Sequence, residues 1–439
     1  MIFLRTIFLI GLSIGLIQPV VFSEEQVAPM SLDVCQDFAL EFAPSLGKQR
    51  LNYSNLVESV AIAKSIYDPV LRVSRTWENE DDPKRTVASI RQQLPAEVQT
   101  TITARQEERN GEEFTNYALN LSKTLLGGGS LLEGRLPLER AWIQRAKEAN
   151  GLSLEQRRLY LDVTRTYYSI VRNKLTLHLR QLQLERAERN LEHAEVKEDP
   201  LDIATAKLRI PESELDVIRA RRAIANGLLD LSLTIGMPVG QPMSVDTQLV
   251  YQVRAINLKQ DLANALESHE TILNARLDLE LDHMEAKVAR TRRLPELRAE
   301  VSMQEDDLSS SDSTDVRADL VLEWPWMDRR DRAEYRQREY DLQRSELSLF
   351  EAQQSVEQQI KSQAARVMET ERSVVLQGQR VTVLEQQFRL YQDRWENGEI
   401  NILEYIRSQN DLENARVQWI TEQTQYLELR AEYDFNIGK

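Results

Sequence analysis

The chain carries one long module twice, and the second copy starts where the first one ends. At an offset of 226 residues, the segment 31–72 aligns with 257–298 without a gap. At an offset of 202 residues the module ends also match, since Ile235-Gly236 recurs as Ile437-Gly438. The recurring residues of the first alignment are Leu32, Ala39, Leu40, Glu41, Arg50, Leu51, Ala63, Pro69, Leu71 and Arg72, with copies at Leu258, Ala265, Leu266, Glu267, Arg276, Leu277, Ala289, Pro295, Leu297 and Arg298. A tandem duplication on this scale predicts two similar structural units that pack quasi-symmetrically.

The bulk composition excludes several classes of protein. The 439 residues carry a net charge of −15, whereas a nucleic-acid binder would show a basic face. The single cysteine, Cys35, excludes an internal disulfide, so stability must come from packing or assembly. Because Cys35 falls in a helical pattern, we expect a small buried residue and not a reactive thiol.

The first 23 residues have the pattern of a secretory signal peptide. Arg5 precedes a short apolar run at 7–17, Pro19 interrupts it, and Val21-Phe22-Ser23 ends in a small residue suited to cleavage before Glu24. We therefore expect an exported protein. No later segment is apolar enough to span a bilayer as a helix, so membrane insertion would require a β-barrel or surface attachment.

Each half follows the same order of predicted elements: helix, short strands, a very long helix, a turn and a second long helix. The first repeat is predicted at 24–236, with a helix at 31–66, strands at 70–78 and 115–126, further β-like pieces within 88–105, and long helices at 131–196 and 201–235. The second repeat is predicted at 257–439, with a helix at 258–293, strands at 297–304 and 316–326, and long helices at 331–395 and 402–436, after a linker at 237–256.

The longest helices would each reach about 100 Å at 1.5 Å per residue. Their apolar residues step by three and four, as from Val381 to Leu384 and Phe388, which is coiled-coil spacing. Two main strands per half give about four per chain, too few to close a membrane barrel, which needs at least eight. Open strand edges are prohibitive in lipid, so membrane-embedded strands would have to be pooled by several chains.

The chain resembles the TolC-like outer-membrane efflux proteins, and the resemblance covers Ser31 to Gly438. It rests on the order of several segments, repeated in both halves behind a signal peptide. These segments are Ser31-Leu-x6-Ala39-Leu-Glu41 with its copy Asn257-Leu-x6-Ala265-Leu-Glu267, Pro69 and Pro295, Leu119-Asn-Leu-Ser-Lys-Thr-Leu-Leu-Gly127, Leu320-Val-Leu-Glu-Trp-Pro-Trp326, and Arg394-Trp-Glu-Asn-Gly-Glu-Ile-Asn-Ile-Leu-Glu404.

The resemblance implies a fold, a location and partners. The fold class is mainly α with a membrane β-barrel portion. Three chains would pool about four strands each in a twelve-stranded barrel in the outer membrane of a Gram-negative-type bacterium. Their long antiparallel helices would form an α-barrel through the periplasm. The implied partners of this homotrimer are outer-membrane lipid, a periplasmic adaptor protein and an inner-membrane transporter, with no cofactor.

The turns between the long helices would form the periplasmic tip, where the family closes its pore and meets the adaptor. Glu404 matches a position at which the family often has a pore-facing Asp, and Asp202 is its counterpart in the first repeat. Acidic rings repeated by symmetry favour cations. The alternative is that both are ordinary first-turn carboxylates, which are favourable at a helix N-terminus. Arg407 stands where the family can have a second acid, so it would make the aperture less acidic or pair with Glu404.

The two tip turns differ, and this bears on adaptor docking. The first contains Asp199 and Pro200, whereas the second contains Asn397 and Gly398. We take these four residues as docking candidates, and the missing glycine in the first turn predicts a different docking surface there.

Four aromatic residues lie on or beside the predicted strands: Trp77, Tyr117, Trp324 and Trp326. Such residues gather at the interfaces of a bilayer. Packing against the neighbouring helix ends is the equal alternative.

The sequence contains no enzyme signature. G-x-S-x-G, G-x-x-x-x-G-K-[ST], H-E-x-x-H and C-x-x-C are all missing, and the four histidines lack the spacing of a metal site. The function that the resemblance implies is a passive exit duct for efflux or type I secretion. A periplasmic or cytoplasmic coiled-coil scaffold is the alternative, and the sequence does not identify the cargo.

Overall fold

The computed structural model describes residues 29–76, 84–94, 98–109, 112–127, 133–197, 199–238, 240–249, 251–306, 314–324, 326 and 328–438. The predicted signal peptide, Trp77 and residues 307–313 lie outside the described residues. The described chain is mostly helical and has one antiparallel sheet at one end of the long helices, so the predicted mainly α class with a β portion is confirmed.

The described chain contains eight α-helices and six strands, which come in blocks. The helices are α1 Leu32–Phe42, α2 Pro44–Lys64, α3 Leu136–Lys197, α4 Pro200–Ile235, α5 Leu258–Ser268, α6 Glu270–Arg292, α7 Arg329–Glu396 and α8 Ile402–Asn436. The strands are β1 Val70–Thr76, β2 Lys84–Leu94, β3 Val98–Arg109, β4 Glu112–Leu126, β5 Glu296–Asp306 and β6 Thr314–Glu323. The 62 residues of α3 and the 68 of α7 correspond to roughly 95 and 100 Å.

The first helix of each repeat is broken, although the sequence analysis predicts it as continuous. Ala43 adopts an extended conformation before Pro44, because a proline disfavours the helical conformation of the residue that precedes it. His269 is extended at the equivalent place without a following proline, and its Nδ1 accepts a hydrogen bond from the backbone N–H of Thr271. A break is therefore common to both repeats but is visible in the sequence of only one.

The two repeats share specific hydrogen bonds as well as element order. Arg50 donates to the carbonyl oxygen of Leu40 at 3.0 Å, and Arg276 donates to that of Leu266 at 3.2 Å. These arginines also recur in the sequence alignment. Each thus holds the first helix of its repeat against the second helix.

The described sheet has six strands in sequential order, each antiparallel to its neighbours. The sequence pattern predicts about four strands per chain and, besides these, β-like pieces within 88–105. Those pieces are the complete strands β2 and β3, which form a hairpin between β1 and β4. The first repeat therefore contributes four strands and the second contributes two.

The helices enclose two main apolar clusters, one in each repeat. The first surrounds Val163, Ile170 and Leu231, and the second surrounds Ile360, Val367 and Tyr426. Cys35 lies fully buried in the first cluster, and burial raises the pKa of its thiol to about 11. The thiol therefore stays protonated at neutral pH and packs as a small apolar group.

Candidate functional site: an open wall and its tip

The long helices lie side by side in a single layer, four across in each half of its length, and this layer is called the wall below. In the half next to the tip, α4 packs against α3, α3 against α8, and α8 against α7. In the half next to the sheet the order is α2, α3, α6 and α7. The layer therefore has two open edges, one formed by α2 and α4 and the other by α7.

One open edge carries an apolar seam on α4. Leu201, Leu208, Leu215 and Leu229 are spaced at multiples of seven residues and are 46–66% exposed. Apolar residues at heptad spacing pack against another helix in coiled coils. The other helices of the same chain leave this seam uncovered.

The opposite edge carries a similar seam on α7. Leu376, Val383 and Leu390 are seven residues apart and 61–64% exposed. At 1.5 Å per residue, Val383 and Leu215 both lie roughly 20 Å from the tip. Two apolar seams thus occupy opposite edges of the wall at the same height.

The sheet is open on the same two sides as the helices. β1 follows α2 and pairs only with β2, while β6 precedes α7 and pairs only with β5. Because β1 and β6 are the first and the last of six sequential antiparallel strands, they run in opposite directions. The free edge of β6 in one chain can therefore pair in antiparallel fashion with β1 of a second copy.

The sheet also has one apolar and one polar face. One rung of directly paired residues contains an apolar residue from each strand: Leu71, Ile90, Ile102, Leu119, Met303 and Val316. The adjacent rung, on the opposite face, contains Arg72, Ser89, Thr103, Ala118, Gln304 and Asp315. Successive residues of a strand point to opposite faces, so this alternation separates an apolar surface from a polar one.

Charged pairs lie on the polar face of the sheet. Arg85 on β2 contacts Glu107 on β3 at 3.3 Å, and Arg298 on β5 contacts Glu296 at 2.6 Å. These charges lie on the same face as Arg72 by strand alternation. The pattern matches a wall that is apolar outside and hydrophilic inside.

The tip is held together by a small aromatic cluster. Trp395 is 4% exposed and stacks on Tyr405 with ring centroids 4.5 Å apart, while His193 meets the edge of Trp395 at 5.4 Å. Gly398 has φ +77°, a left-handed conformation that suits glycine, and it ends α7. Two features therefore fix the turn between α7 and α8: the packing of Trp395 on Tyr405 and the left-handed conformation of Gly398.

The predicted aperture residues lie on the first turns of the returning helices. Glu404 and Arg407 are exposed on α8, and no ion pair joins their side chains among the described contacts. The backbone N–H of Glu404 donates to Asn401 Oδ1 at 2.9 Å, so Asn401, not Glu404, caps the helix. Asp202 is half-buried in the first turn of α4. The carboxylate of Glu404 is thus left to solvent.

The four docking candidates occupy the two tip turns in different ways. Asp199 caps α4 by accepting from the N–H of Leu201 at 2.9 Å, and Pro200 opens that helix. Asn397 ends α7 and is followed by Gly398. The first turn therefore relies on a side-chain cap, and the second relies on a left-handed glycine.

The aromatic candidates lie at two levels of the sheet. Tyr117 is 55% exposed on the apolar face of β4. Trp324 and Trp326 follow β6, are exposed, and stack on each other with centroids 6.1 Å apart. In a single chain these rings do not pack into a core.

Two polar contacts are buried between helices of the wall, and neither is singled out by the sequence. Arg186 on α3 contacts Glu413 on α8 at 2.6 Å, where the glutamate is 2% exposed. Tyr433 donates a hydrogen bond to Asp261 at 3.0 Å, and burial, together with this contact, raises the pKa of the phenol. Their only sequence signal is a polar residue on an apolar helical face.

None of the described helices is both long and apolar enough to cross a membrane. The described residues also contain no cluster of histidine, cysteine and acidic side chains that could hold a metal ion.

Residues 262–433 match the family described as outer membrane efflux protein. No curated protein matches the chain.

Among solved structures, the chain is similar to the open state of the MtrE outer membrane channel of Neisseria gonorrhoeae, with 16% identity, a TM-score of 0.69, and coverage of 93% of this chain and 88% of that one. The CmeC outer membrane channel of Campylobacter jejuni has 14% identity and a TM-score of 0.69, with 93% and 85% covered. The outer membrane protein VceC of Vibrio cholerae has 12% identity and a TM-score of 0.69, with 93% and 96% covered.

The structural likeness extends over both repeats, and the sequence match falls within the second. Together they confirm the resemblance of this chain to the TolC-like outer-membrane efflux proteins.

Proposed function

We propose that this chain is one of three identical subunits of an outer-membrane channel that extends into the periplasm. The channel provides the exit duct for efflux or type I secretion and performs no chemistry. A periplasmic adaptor protein and an inner-membrane transporter supply the cargo and the energy. Three copies are proposed because the family resemblance implies a trimer.

The proposal rests on one observation: the layer of helices and the sheet are open on the same two sides. The α4 seam and the α7 seam are apolar, exposed and at equal height, and β1 and β6 present unpaired antiparallel edges. Such edges join head to tail, and a head-to-tail interface that closes generates a ring. A ring of these walls would enclose a continuous conduit from sheet to tip.

The two-faced sheet supports a membrane location. In a closed ring the apolar rung through Ile90, Ile102 and Val316 would face lipid and the arginine-bearing rungs would face water. Tyr117, Trp324 and Trp326 would then lie near the bilayer interfaces. The similarity to MtrE and CmeC, which are outer membrane channels, supports the same location.

The tip would form the aperture and the adaptor contact. Three copies of Glu404 and of Asp202 would give two acidic rings that favour cations, with Arg407 next to the first ring. Asp199, Pro200, Asn397 and Gly398 would be presented to the adaptor at the end of the tube.

Single-channel conductance of the purified protein in a planar bilayer tests this function. We expect a small, cation-selective conductance that loses selectivity in Glu404→Gln and Asp202→Asn. Glu399→Gln is the matched control, because Glu399 is also a tip acid but contacts Arg394 at 3.2 Å. Channels that respond alike to all three substitutions would reject the aperture residues. Folded, helical protein without channels would favour the scaffold alternative.

A further inference from the structure

The strands β2 and β3 form a hairpin that is part of the sheet along its whole length. The two strands pair from Lys84 with Glu108 to Leu94 with Val98. On one side β2 pairs with β1 along all of β1, and on the other β3 pairs with β4. The hairpin therefore separates β1 from β4 in the sheet and does not lie across one of its faces.

The hairpin has the same two faces as the rest of the sheet. Ala88, Ile90, Ile102 and Ala104 fall on the apolar face, in register with Leu119 on β4 and Leu71 on β1. Arg85, Ser89, Thr103 and Arg105 fall on the polar face. A hairpin that projected into water would have no reason to keep an apolar side continuous with a lipid-facing surface.

The apolar surface of the hairpin also ends at the level where the neighbouring strands turn polar. On β3 this face carries Val98, Thr100, Ile102 and Ala104, with one polar pair where Thr100 meets Gln92, and Gln106 and Glu108 follow. On β4 Thr115 and Glu113 follow Tyr117 at the corresponding rungs. If adjacent strands contact the same band of lipid, their apolar surfaces are expected to end at the same level.

We propose that β2 and β3 are membrane-spanning strands, so that three copies of this chain close a barrel of eighteen strands, not twelve. This proposal rests on the proposed function, which supplies the ring of three. An even number of strands per chain preserves the antiparallel junction between β6 and the next copy's β1. Because barrel diameter grows roughly linearly with strand number, the barrel is about half as wide again as a twelve-stranded one.

The larger strand number also matches the circumference of the helical layer. Four helices about 10 Å apart occupy roughly 40 Å of circumference per chain. Six strands about 4.8 Å apart, tilted by about 40°, occupy roughly 38 Å, whereas four strands occupy roughly 25 Å. The six-stranded sheet therefore continues the helical wall without narrowing.

The test is lipid contact at single cysteines in the reconstituted full-length protein. Cys35→Ala provides a cysteine-free background, since Cys35 is the only cysteine. Ile90→Cys and Ile102→Cys report the apolar face of the hairpin, and Ser89→Cys reports its polar face. Leu320→Cys on β6 is the matched reference, because it lies on the apolar face outside the hairpin. Each variant is labelled with a fluorophore and exposed to spin-labelled lipid.

We expect quenching at Ile90 and Ile102 within about two-fold of that at Leu320, and at least several-fold weaker quenching at Ser89. Quenching at Leu320 without quenching at Ile90 and Ile102 would overturn the eighteen-stranded barrel and leave the proposed channel intact. Loss of quenching at Leu320 as well would overturn the membrane location itself, and the barrel with it.

Discussion

The two repeats agree in their helices and differ in their strands. Each has a broken first helix, a very long helix and a returning helix, and equivalent arginines make equivalent hydrogen bonds. The first repeat, however, contributes four strands to the sheet, whereas the second contributes two. Helices packed along their length constrain one another at every turn, but a sheet can accept a hairpin without reversing its neighbours. The strand region is thus where the duplicated modules could diverge in size.

The largest expected effect concerns the junction at which the first repeat leaves the sheet. Gly127 has φ +75°, and a Cβ there would lie 1.7 Å from the carbonyl oxygen of Pro295 in the second repeat. We expect Gly127→Ala to abolish assembled protein, measured as the yield of membrane-extracted oligomer. Gly47→Ala is the control, since a Cβ at Gly47 meets nothing within 4 Å and alanine favours the helix. Normal assembly of Gly127→Ala would show that the two repeats do not need this close approach.

Removal of the extra hairpin would make the two repeats alike in strand number. Deletion of residues 84–109 joins residue 83 to residue 110 and makes β1 and β4 consecutive strands of the chain. We expect the oligomer to persist and the barrel to narrow by about a third in end-on electron microscopy averages, since diameter follows strand number. An assembled variant of unchanged diameter would contradict a structural role of β2 and β3 in the wall.

The tips offer a smaller comparison. Trp395 and His193 are equivalent at the offset of 202 residues, yet Trp395 is buried and His193 is exposed. Truncation of a buried tryptophan to alanine costs about 3–5 kcal/mol, whereas surface changes stay within about 0.5 kcal/mol. We expect Trp395→Ala to speed amide exchange across the second tip turn, and His193→Ala, which removes only an edge contact with Trp395, to speed it far less. Equal exchange in both variants would mean that the aromatic cluster does not hold the tip closed.

The smallest effect is a pH dependence at Glu413, whose equivalent in the first repeat is Pro211. Burial raises the pKa of the Glu413 carboxyl, and the guanidinium of Arg186 offsets part of this effect. A raised folded-state pKa means that ionisation disfavours the fold above the unfolded-state pKa, which is about 4.3. Glu413→Gln should therefore gain melting temperature over the wild type at pH 7, and the gain should shrink toward pH 4. If the gain in melting temperature instead grew toward pH 4, the pKa of Glu413 would not be raised in the folded protein.

Much of the helical architecture could be predicted from the sequence. A long segment whose apolar residues are spaced by three and four predicts a helix from local sequence alone. The helices α7 and α8 therefore lie close to their predicted bounds. The break at His269 could not be predicted in this way, because no proline or glycine marks it. The hairpin strands were visible only as β-like pieces, since whether such pieces join a sheet depends on partners distant in sequence.

The candidate site was only partly predictable. The positions of Glu404 and Asp202 on the first turns follow from the tip turns, but which way they face in a ring depends on neighbouring copies. The seven-residue spacing of Leu201, Leu208 and Leu215 on α4 is visible in the sequence. The exposure of these leucines became apparent only when the other helices were placed, because a heptad pattern does not tell whether its partner is in the same chain.

Cross-linking between opposite edges of the wall tests the central claim most directly. Leu215→Cys and Val383→Cys, combined in a Cys35→Ala background and treated with a short bis-maleimide, should give covalent dimers and trimers and nothing larger. Either cysteine alone should give no cross-link, because in a head-to-tail ring each edge meets only the opposite edge. Absence of cross-links in the double variant, or dimers formed through Leu215→Cys alone, would contradict a ring closed through the α4 and α7 seams.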